Sequence, residues 1–317
     1  MMASMGREVS RGAVAIAVIV LVVGAIGVLS SAVIRAQTEA KTMRLTGQSV
    51  VPVYEGWEKN PDGSFSLLFG YFNRNHVESP DIPVGENNYF SPGDPDVGQP
   101  THFFPQRNRF LFRVRVPSDF GDRELVWTLT GNGKTEKTYG TLNPGYFVDD
   151  IVIMNNQGAG GSGGGAGNLE GQEAPMVTVE GEKMRHASVG QPVALTTIVT
   201  DDGRPKPRPI LSGYARRQQV SLGVRCCADS TTGLRLSWFV YRGPNTMTFE
   251  PKQFDQWENY RDGADSPFSA GWERPPVPED NKWMTKVTFS EPGEYVLRAM
   301  AHDGGLMTWE DVTFVVE

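Results

Sequence analysis

Apolar and polar residues alternate along several short stretches of this chain, and no segment of residues 45–154 repeats its apolar residues with helical spacing. Residues 110–116 place Phe and Val on one face and Leu111, Arg113 and Arg115 on the other. Residues 125–129 repeat this pattern with Leu and Trp. A period of two is typical of half-buried β-strands. The sequence therefore predicts an all-β fold.

A glycine-rich stretch divides the chain into two parts of similar size. Seven of the ten residues from Gly158 to Gly167 are glycine, which is typical of a flexible linker. A phosphate-binding loop would need a following Gly-Lys-Ser or Gly-Lys-Thr, which is missing here. We predict two antiparallel β-sandwich domains, residues 45–154 and 172–317, joined by a Gly-rich linker over residues 155–171.

The N-terminal segment has the composition of an export signal. Residues 12–34 carry no charge, and Arg7 and Arg11 precede them. Two interpretations stay open: a signal peptide over residues 1–36 that is cleaved after Ala36, or an uncleaved anchor that spans the membrane through residues 12–34. In both cases the rest of the chain is expected to be exported, to the periplasm, the cell surface or the extracellular space.

The charge balance excludes two classes of partner. The chain has 30 basic and 37 acidic residues, for a formal net charge of -7. An acidic exported protein is a poor ligand for nucleic acid and for anionic lipid. We therefore predict no nucleic-acid partner, and a membrane contact only through residues 12–34 if they are retained.

Turn residues indicate the strand connections of the first domain. Asn60-Pro61-Asp62-Gly63 separates two apolar runs, residues 50–57 and 64–73, and predicts a hairpin. Residues 81–106 are rich in Pro, Gly, Asp and Asn, and we interpret them as one long loop.

The second domain resembles an immunoglobulin-like or PKD-type β-sandwich. The resemblance depends on Trp238, at the place of the core strand-C tryptophan, and on Pro-Gly-Glu-Tyr295-Val-Leu297, which resembles a tyrosine corner. Leu195 and Leu297 stand where an antibody domain has its two cysteines. The whole chain is also similar to a group of exported bacterial proteins that pair an Asn60–Ser64 hairpin domain with such a sandwich. That resemblance supplies no catalytic residue.

The residues that usually carry chemistry are scattered along the chain. The four histidines form no metal-binding spacing, and no Gly-x-Ser-x-Gly motif occurs. His102 and His302 are the two candidates for a role in a site. Cys226 and Cys227 are adjacent, so free thiols, a vicinal disulfide and an intermolecular bridge all stay open. We predict no catalytic residue and no organic cofactor.

Calcium is the one inorganic ligand that the sequence suggests. Asp201, Asp202 and Asp303 lie at turns that a sandwich could bring to the same end, and Ca²⁺ prefers oxygen ligands from loops. These three residues are the predicted metal site. The alternative is that Asp-Asp-Gly and Asp-Gly-Gly serve only as turn residues.

An insertion over residues 254–283 is rich in aromatic residues. Trp257, Tyr260 and Trp272 alternate there with carboxylates and prolines. If the rings are exposed, they predict a binding site for an extracellular glycan or for a protein partner. The alternative is a strap that folds its rings over the sandwich and covers an edge strand.

Three functions follow from these observations. The first is a non-enzymatic structural or protein-interaction module at the cell surface or in the periplasm, which we prefer. The second is a glycan-binding module, which solvent exposure of Trp257 and Trp272 would favour. The third is an enzyme on a sandwich scaffold, which a deep pocket holding His102 or His302 beside a carboxylate would favour.

Overall fold

The computed structural model describes residues 44–160, 169–210, 230–261 and 263–317. The predicted signal or anchor (residues 1–36), the middle of the glycine stretch (161–168) and the Cys226–Cys227 pair lie outside these ranges. Within them, no helix is both long and apolar enough to cross a bilayer.

The first half of the described chain forms two small sheets, which we call the first lobe. One sheet has the strand order β1-β2-β4, the other β3-β5-β6. All pairings within them are antiparallel. The strands are β1 (Val50–Lys59), β2 (Phe65–Asn73), β3 (Asn88–Ser91), β4 (Gln106–Val116), β5 (Leu125–Gly131) and β6 (Lys134–Gly140).

The predicted hairpin is confirmed. β1 and β2 pair in register from Val50 with Asn73 to Lys59 with Phe65. The turn between them closes with a 3.0 Å hydrogen bond from the Gly63 amide to the Asn60 carbonyl. The pairing shifts by one residue between Tyr54 and Gly56, where a β-bulge bends β1.

The second half forms two four-stranded sheets, which we call the second lobe. One sheet has the strand order β10-β13-β14-β8 and the other β11-β12-β9-β7. β8 runs parallel to β14, and all other pairings are antiparallel. The strands are β7 (Met176–Val179), β8 (Met184–Ala187), β9 (Val193–Thr200), β10 (Arg235–Arg242), β11 (Met247–Glu250), β12 (Lys282–Phe289), β13 (Gly293–His302) and β14 (Met307–Val316). The all-β class is therefore confirmed.

The core of the second lobe lies between its two sheets. Trp238 is buried there, and its indole Nε1 donates to Thr197 Oγ1 at 3.2 Å. The Tyr295 hydroxyl donates to the Glu291 carbonyl four residues upstream at 2.8 Å, which is the contact of a tyrosine corner. Leu195 and Leu297 are buried in the same cluster. Two packed leucines thus stand where an antibody domain has its disulfide.

Two details of the first lobe differ from the prediction. Residues 81–106 are not one loop, because Asn88–Ser91 forms strand β3 beside β5. A helix, α1 (Asp150–Asn156), follows the strands, although no helix is predicted. The helix has seven residues, which is too short to show a helical period, and the Asp149 carboxylate caps it by accepting from the Val152 amide at 2.8 Å.

The two lobes share part of their packing. One hydrophobic cluster extends from the first lobe to Tyr241, Met300 and Met307 of the second. Residues Leu45–Glu317 form one compact unit. Leu111 is buried although it lies on the face of β4 that we expect to be solvated, because the second lobe covers that face. The domain boundaries at residues 154 and 172 stay a prediction.

Candidate functional site

The aromatic residues of the insertion pack against the protein. The Trp257 ring stacks on Phe104 of the first lobe, with centroids 4.7 Å apart and planes 10° apart. Trp272 is only 9% exposed, contacts the Phe254 ring at 5.0 Å, and donates from Nε1 to Asp265 Oδ1 at 3.1 Å. A sugar stacks on an open ring face, and these contacts cover Trp272 and one face of Trp257.

Tyr260 belongs to the same packed layer. Its hydroxyl donates to Glu258 Oε2 at 3.0 Å, and its ring contacts Phe268 edge-on. Glu258 Oε1 accepts from Arg109 Nε of the first lobe at 2.5 Å. Burial and the neighbouring carboxylates act on Arg109 in opposite directions, and the net effect raises its pKa. The ligand-binding role of Trp257, Tyr260 and Trp272 stays a prediction; of the three rings, that of Trp257 contacts the first lobe.

The insertion also covers an edge strand. β10 lies at the edge of its sheet, and its Trp238 amide donates to Oε1 of Gln253, the residue directly before the insertion, at 2.9 Å. The Ser237 hydroxyl donates to the Phe254 carbonyl at 3.4 Å. The strap thereby satisfies polar groups of an edge strand that would otherwise be open to pairing with another chain.

Polar groups hold the lobes together beyond the insertion. Arg242 makes a bidentate contact with the Asp96 carboxylate, at 2.6 and 3.0 Å. The Tyr241 hydroxyl donates to the Gly98 carbonyl at 2.5 Å, and the Thr101 amide donates to the Tyr241 carbonyl at 3.2 Å. Main-chain and side-chain hydrogen bonds therefore fix residues 96–101 against the second lobe.

The Arg298 side chain is buried at this interface and makes both hydrogen bonds and ring contacts. Its guanidinium lies 3.5 Å from the Tyr241 ring centroid and 4.7 Å from that of Trp309. Nε and Nη2 donate to the Asp311 carboxylate at 2.7 and 2.8 Å, and Nη1 donates to the Leu111 carbonyl of the first lobe. A buried guanidinium is tolerated because its donors have partners and its faces meet aromatic rings.

Two of the three predicted metal ligands lie within electrostatic reach of each other. Asp303 is fully buried, and its Oδ1 accepts from the Gly305 and Leu306 amides at 2.5 and 2.7 Å. Burial and the nearby Asp201 charge raise the pKa of Asp303 to about 7. Asp202 is exposed, and its carboxylate accepts hydrogen bonds from the Arg204 and Glu173 amides.

The surroundings of Asp303 do not favour calcium binding. No group of three His, Cys, Asp or Glu side chains suited to a metal ion occurs among the described residues. The fully buried Arg235 guanidinium lies near Asp303, and burial lowers its pKa to about 10. A cation would be repelled by this guanidinium. A calcium site at Asp201, Asp202 and Asp303 stays a prediction.

His302 lies on the second-lobe side of the interface. It is buried, and its Nδ1 accepts a hydrogen bond from the Gly304 amide at 2.8 Å. Burial and the Arg235 charge lower the pKa of His302 well below its ordinary value. His302 and Glu258 line a cavity between the lobes of about 30 Å³. This is room for an ordered water and far less than a substrate needs.

His102 forms a pair with a carboxylate. Its Nδ1 lies 2.6 Å from Asp81 Oδ1, and its ring meets Phe104 edge-on at 4.5 Å. His102 Nε2 is buried and has no hydrogen-bond partner among the described residues. The pair thus lacks the third group of a nucleophilic triad in that part of the chain.

Sequence reasoning missed the exposed aromatic residues of the first lobe. Tyr146 and Phe147 are 53% and 50% exposed; the Tyr146 ring contacts Tyr54 and the Phe147 ring contacts Trp57, both on β1 of the hairpin. The signal that could have found them is the Asn143-Pro-Gly-Tyr-Phe stretch, a turn that carries two aromatic residues.

A surface groove of about 480 Å³ also lies on the first lobe. It is lined by residues 80–87 and 130–132. Asp81, the carboxylate partner of His102, is among these residues, whereas His102 and His302 are not.

Comparison with known proteins gives only distant likenesses. No family model and no curated protein matches the chain. It is similar to domains 4 and 5 of the S-layer protein SbsC, with 8% identity, coverage of 85% of this chain and 98% of that one, and a TM-score of 0.23. It is similar to the D00-D0 domain of intimin, with 10% identity, coverage of 84% of this chain and 100% of that one, and a TM-score of 0.22. It is also similar to the Yersinia pseudotuberculosis adhesin InvE, with 12% identity, coverage of 86% of this chain and 60% of that one, and a TM-score of 0.21. Likenesses this distant carry no argument about function.

Proposed function

We propose that this chain is an exported, non-enzymatic β-sandwich protein that acts as a structural or protein-interaction module at the cell surface or in the periplasm. The observation that carries the proposal is the use of Trp257, Glu258 and Arg298 in contacts between the lobes. Side chains that could have served a ligand or a reaction instead join two β lobes. A module built in this way presents its outer surfaces in a fixed relation to each other.

The immunoglobulin-like assignment of the second lobe belongs to this proposal. Its strands follow the A-B-E-D and C-F-G order of immunoglobulin domains if β7, β9, β10, β11, β12, β13 and β14 are taken as A to G, with β8 as an additional strand beside G. The buried Trp238 and the Tyr295 contact with Glu291 support the same assignment. Such sandwiches host many functions, so the role is argued from surfaces and not from the fold.

Two other functions have weaker support. A glycan-binding role at residues 254–283 would need open faces on Trp257 and Trp272, which the packing of these rings does not favour. An enzymatic role would need a pocket at His102 or His302, and the cavity beside His302 holds only about 30 Å³.

Localisation and crosslinking in intact cells test the proposal. The full chain carries a C-terminal epitope and is expressed in its own organism. We expect protease added to cells with a permeabilised envelope to cleave the epitope while cytoplasmic markers survive. We also expect a membrane-impermeant crosslinker to join the chain to one reproducible protein partner.

Two results would contradict the proposal. An epitope that stays protected with the cytoplasmic markers would exclude export. Turnover of a panel of glycoside, ester and peptide substrates that is lost in the His302→Ala variant, with the fold retained, would show an enzyme.

A further inference from the structure

An exposed aromatic cluster on the first lobe, which we call the aromatic patch, consists of Trp57, Phe65, Tyr146 and Phe147. Trp57 lies at its centre, 5.2 Å from the Phe147 ring and 5.5 Å from the Phe65 ring. Tyr146 contacts Tyr54 of the same strand at 5.5 Å. Half of each of the Tyr146 and Phe147 side chains is exposed. Adjacent exposed aromatic residues are unusual on a protein surface and are typical of binding sites.

The main chain holds these rings in place. Trp57 Nε1 donates to the Asn143 carbonyl at 2.8 Å, and the Val148 amide donates to the Trp57 carbonyl at 3.0 Å. A 3-10 turn, Pro144–Tyr146, is capped by Asn143 Oδ1, which accepts from the Gly145 amide at 2.9 Å. The patch therefore needs little ordering when it binds, which favours affinity.

A glycine permits this close approach. At Gly56, in the bulge of β1, φ is +133° and an added Cβ would lie 2.5 Å from the Tyr146 carbonyl oxygen. The turn that carries Tyr146 and Phe147 can approach the strand only because Gly56 has no side chain. The position of the exposed rings thus depends on the local backbone conformation at Gly56.

The charges around the patch indicate the chemistry of its partner. Asp149 and Asp150 follow Phe147 after the buried Val148, are exposed, and take part in no ion pair within the described part of the chain. Glu58 is paired with Arg113 at 2.8 Å, and the exposed Lys59 is the register partner of Phe65. The chain as a whole has a net charge of -7. A basic partner is favoured, and a second copy would bring the same carboxylates.

We infer that the aromatic patch binds a basic polypeptide, in which an apolar or aromatic side chain is flanked by Lys or Arg. The inference rests on the proposed protein-interaction function and names the partner's chemistry. The apolar side chain would pack among the Trp57, Tyr146 and Phe147 rings, and the cation would lie beside Asp149 and Asp150. Buried aromatic anchors carry most of the energy of such interfaces, and rim charges add steering.

Peptide selection on the full chain tests the inference. A phage library of random dodecapeptides is selected on the purified chain, and the peptides obtained are measured by fluorescence anisotropy. We expect enrichment of Lys or Arg next to Leu, Phe or Trp. The double variant Tyr146→Ala, Phe147→Ala is expected to raise Kd about 10-fold or more.

Two further variants separate the parts of the patch. The pair Asp149→Asn, Asp150→Asn keeps a good helix cap and is expected to raise Kd about 3-fold, an effect that added salt removes. Phe72→Ala is the matched control, because Phe72 is 38% exposed and lies seven residues from Phe65 on the same strand β2. It is expected to change Kd less than about 2-fold. Circular dichroism confirms that each variant is folded.

Several results would overturn the inference. These are enrichment of acidic or uncharged peptides, no enrichment at all, or equal affinity of the selected peptides for the double variant. Glycan-array binding that the double variant loses would assign the patch to a sugar, and a dimer that it loses would assign it to a second copy. If the cellular crosslink persists in the double variant, the inference fails while the interaction function stands. Absence of any crosslinked partner in the parent chain would contradict the function itself.

Discussion

Arg298 Nη1 of the second lobe donates a 2.5 Å hydrogen bond to the carbonyl oxygen of Leu111 in the first lobe. Leu111 lies on strand β4, and Arg298 lies on strand β13 between β10 and β14. The same guanidinium is stacked against Tyr241 and paired with Asp311. The Arg298 side chain therefore links the first lobe to the second.

Removal of this guanidinium should destabilise the unit more than any surface charge. We expect Arg298→Ala to lower the free energy of unfolding by about 3 kcal/mol, because the Leu111 carbonyl and the partly buried Asp311 lose their partner. Urea unfolding measures this change. Lys252→Ala is the control, since its 3.3 Å ion pair with Asp265 is exposed, and it should cost less than about 0.5 kcal/mol. Equal losses in the two variants would contradict the role of Arg298.

Asp303 should make stability depend on pH. Its pKa is raised to about 7 in the folded chain, against an ordinary value of 3.8. Between these values the unfolded chain has lost a proton that the folded chain retains, so stability falls as the pH rises from about 4 to about 7. The contribution is on the order of 3 kcal/mol.

The Asp303→Asn variant tests this pH dependence. Its amide oxygen can still accept from the Gly305 and Leu306 amides, but the side chain does not titrate. We expect a smaller difference between urea unfolding at pH 5 and at pH 8 in this variant than in the parent chain. Asp201→Asn should shift the loss of stability to lower pH, because removal of this nearby negative charge lowers the pKa of Asp303. An unchanged pH profile in both variants would exclude Asp303 as its source.

The Tyr295 hydroxyl should contribute to the stability of the second lobe. Tyr295→Phe leaves the Glu291 carbonyl without its 2.8 Å bond and also removes the 2.9 Å contact with Thr246 Oγ1. We expect a loss of about 1.5 kcal/mol in urea unfolding. Tyr139→Phe, at a residue that is 51% exposed, should have no measurable effect. A neutral Tyr295→Phe variant would show that the corner contact adds no net stability.

The tryptophans of the insertion should act on stability. Trp272→Ala removes a buried ring and should cost about 3 kcal/mol, and Trp257→Ala, whose ring is half-buried against Phe104, should cost about 2 kcal/mol. The half-exposed Tyr139 provides the control, and Tyr139→Ala should cost less than about 1 kcal/mol. If both tryptophan variants are as stable as the parent and lose binding on a glycan array, the insertion is a glycan-binding site.

Many of the strands could be predicted from local patterns in the sequence, although β3 could not. Alternation over residues 110–116, the Asn60–Gly63 turn and the Pro-Gly-Glu-Tyr295 corner are local signals, and each depends on residues a few positions apart. Helix α1 was missed because one capping Asp and seven residues make a weak local signal. The longer strands can be predicted because the period of a half-buried strand is short, whereas the four-residue β3 lies in a Pro- and Gly-rich stretch that shows no such period.

Which faces of the strands are solvated depends on the tertiary packing. Leu111 is buried, Trp257 stacks on Phe104, and Asp303 loses its water because parts of the chain far apart in sequence meet at these positions. The exposure of Tyr146 and Phe147 depends in the same way on how the turn lies against β1. Burial is a property of the packed surface around a side chain, and the local pattern that forms a strand does not specify which other strand or lobe will cover it.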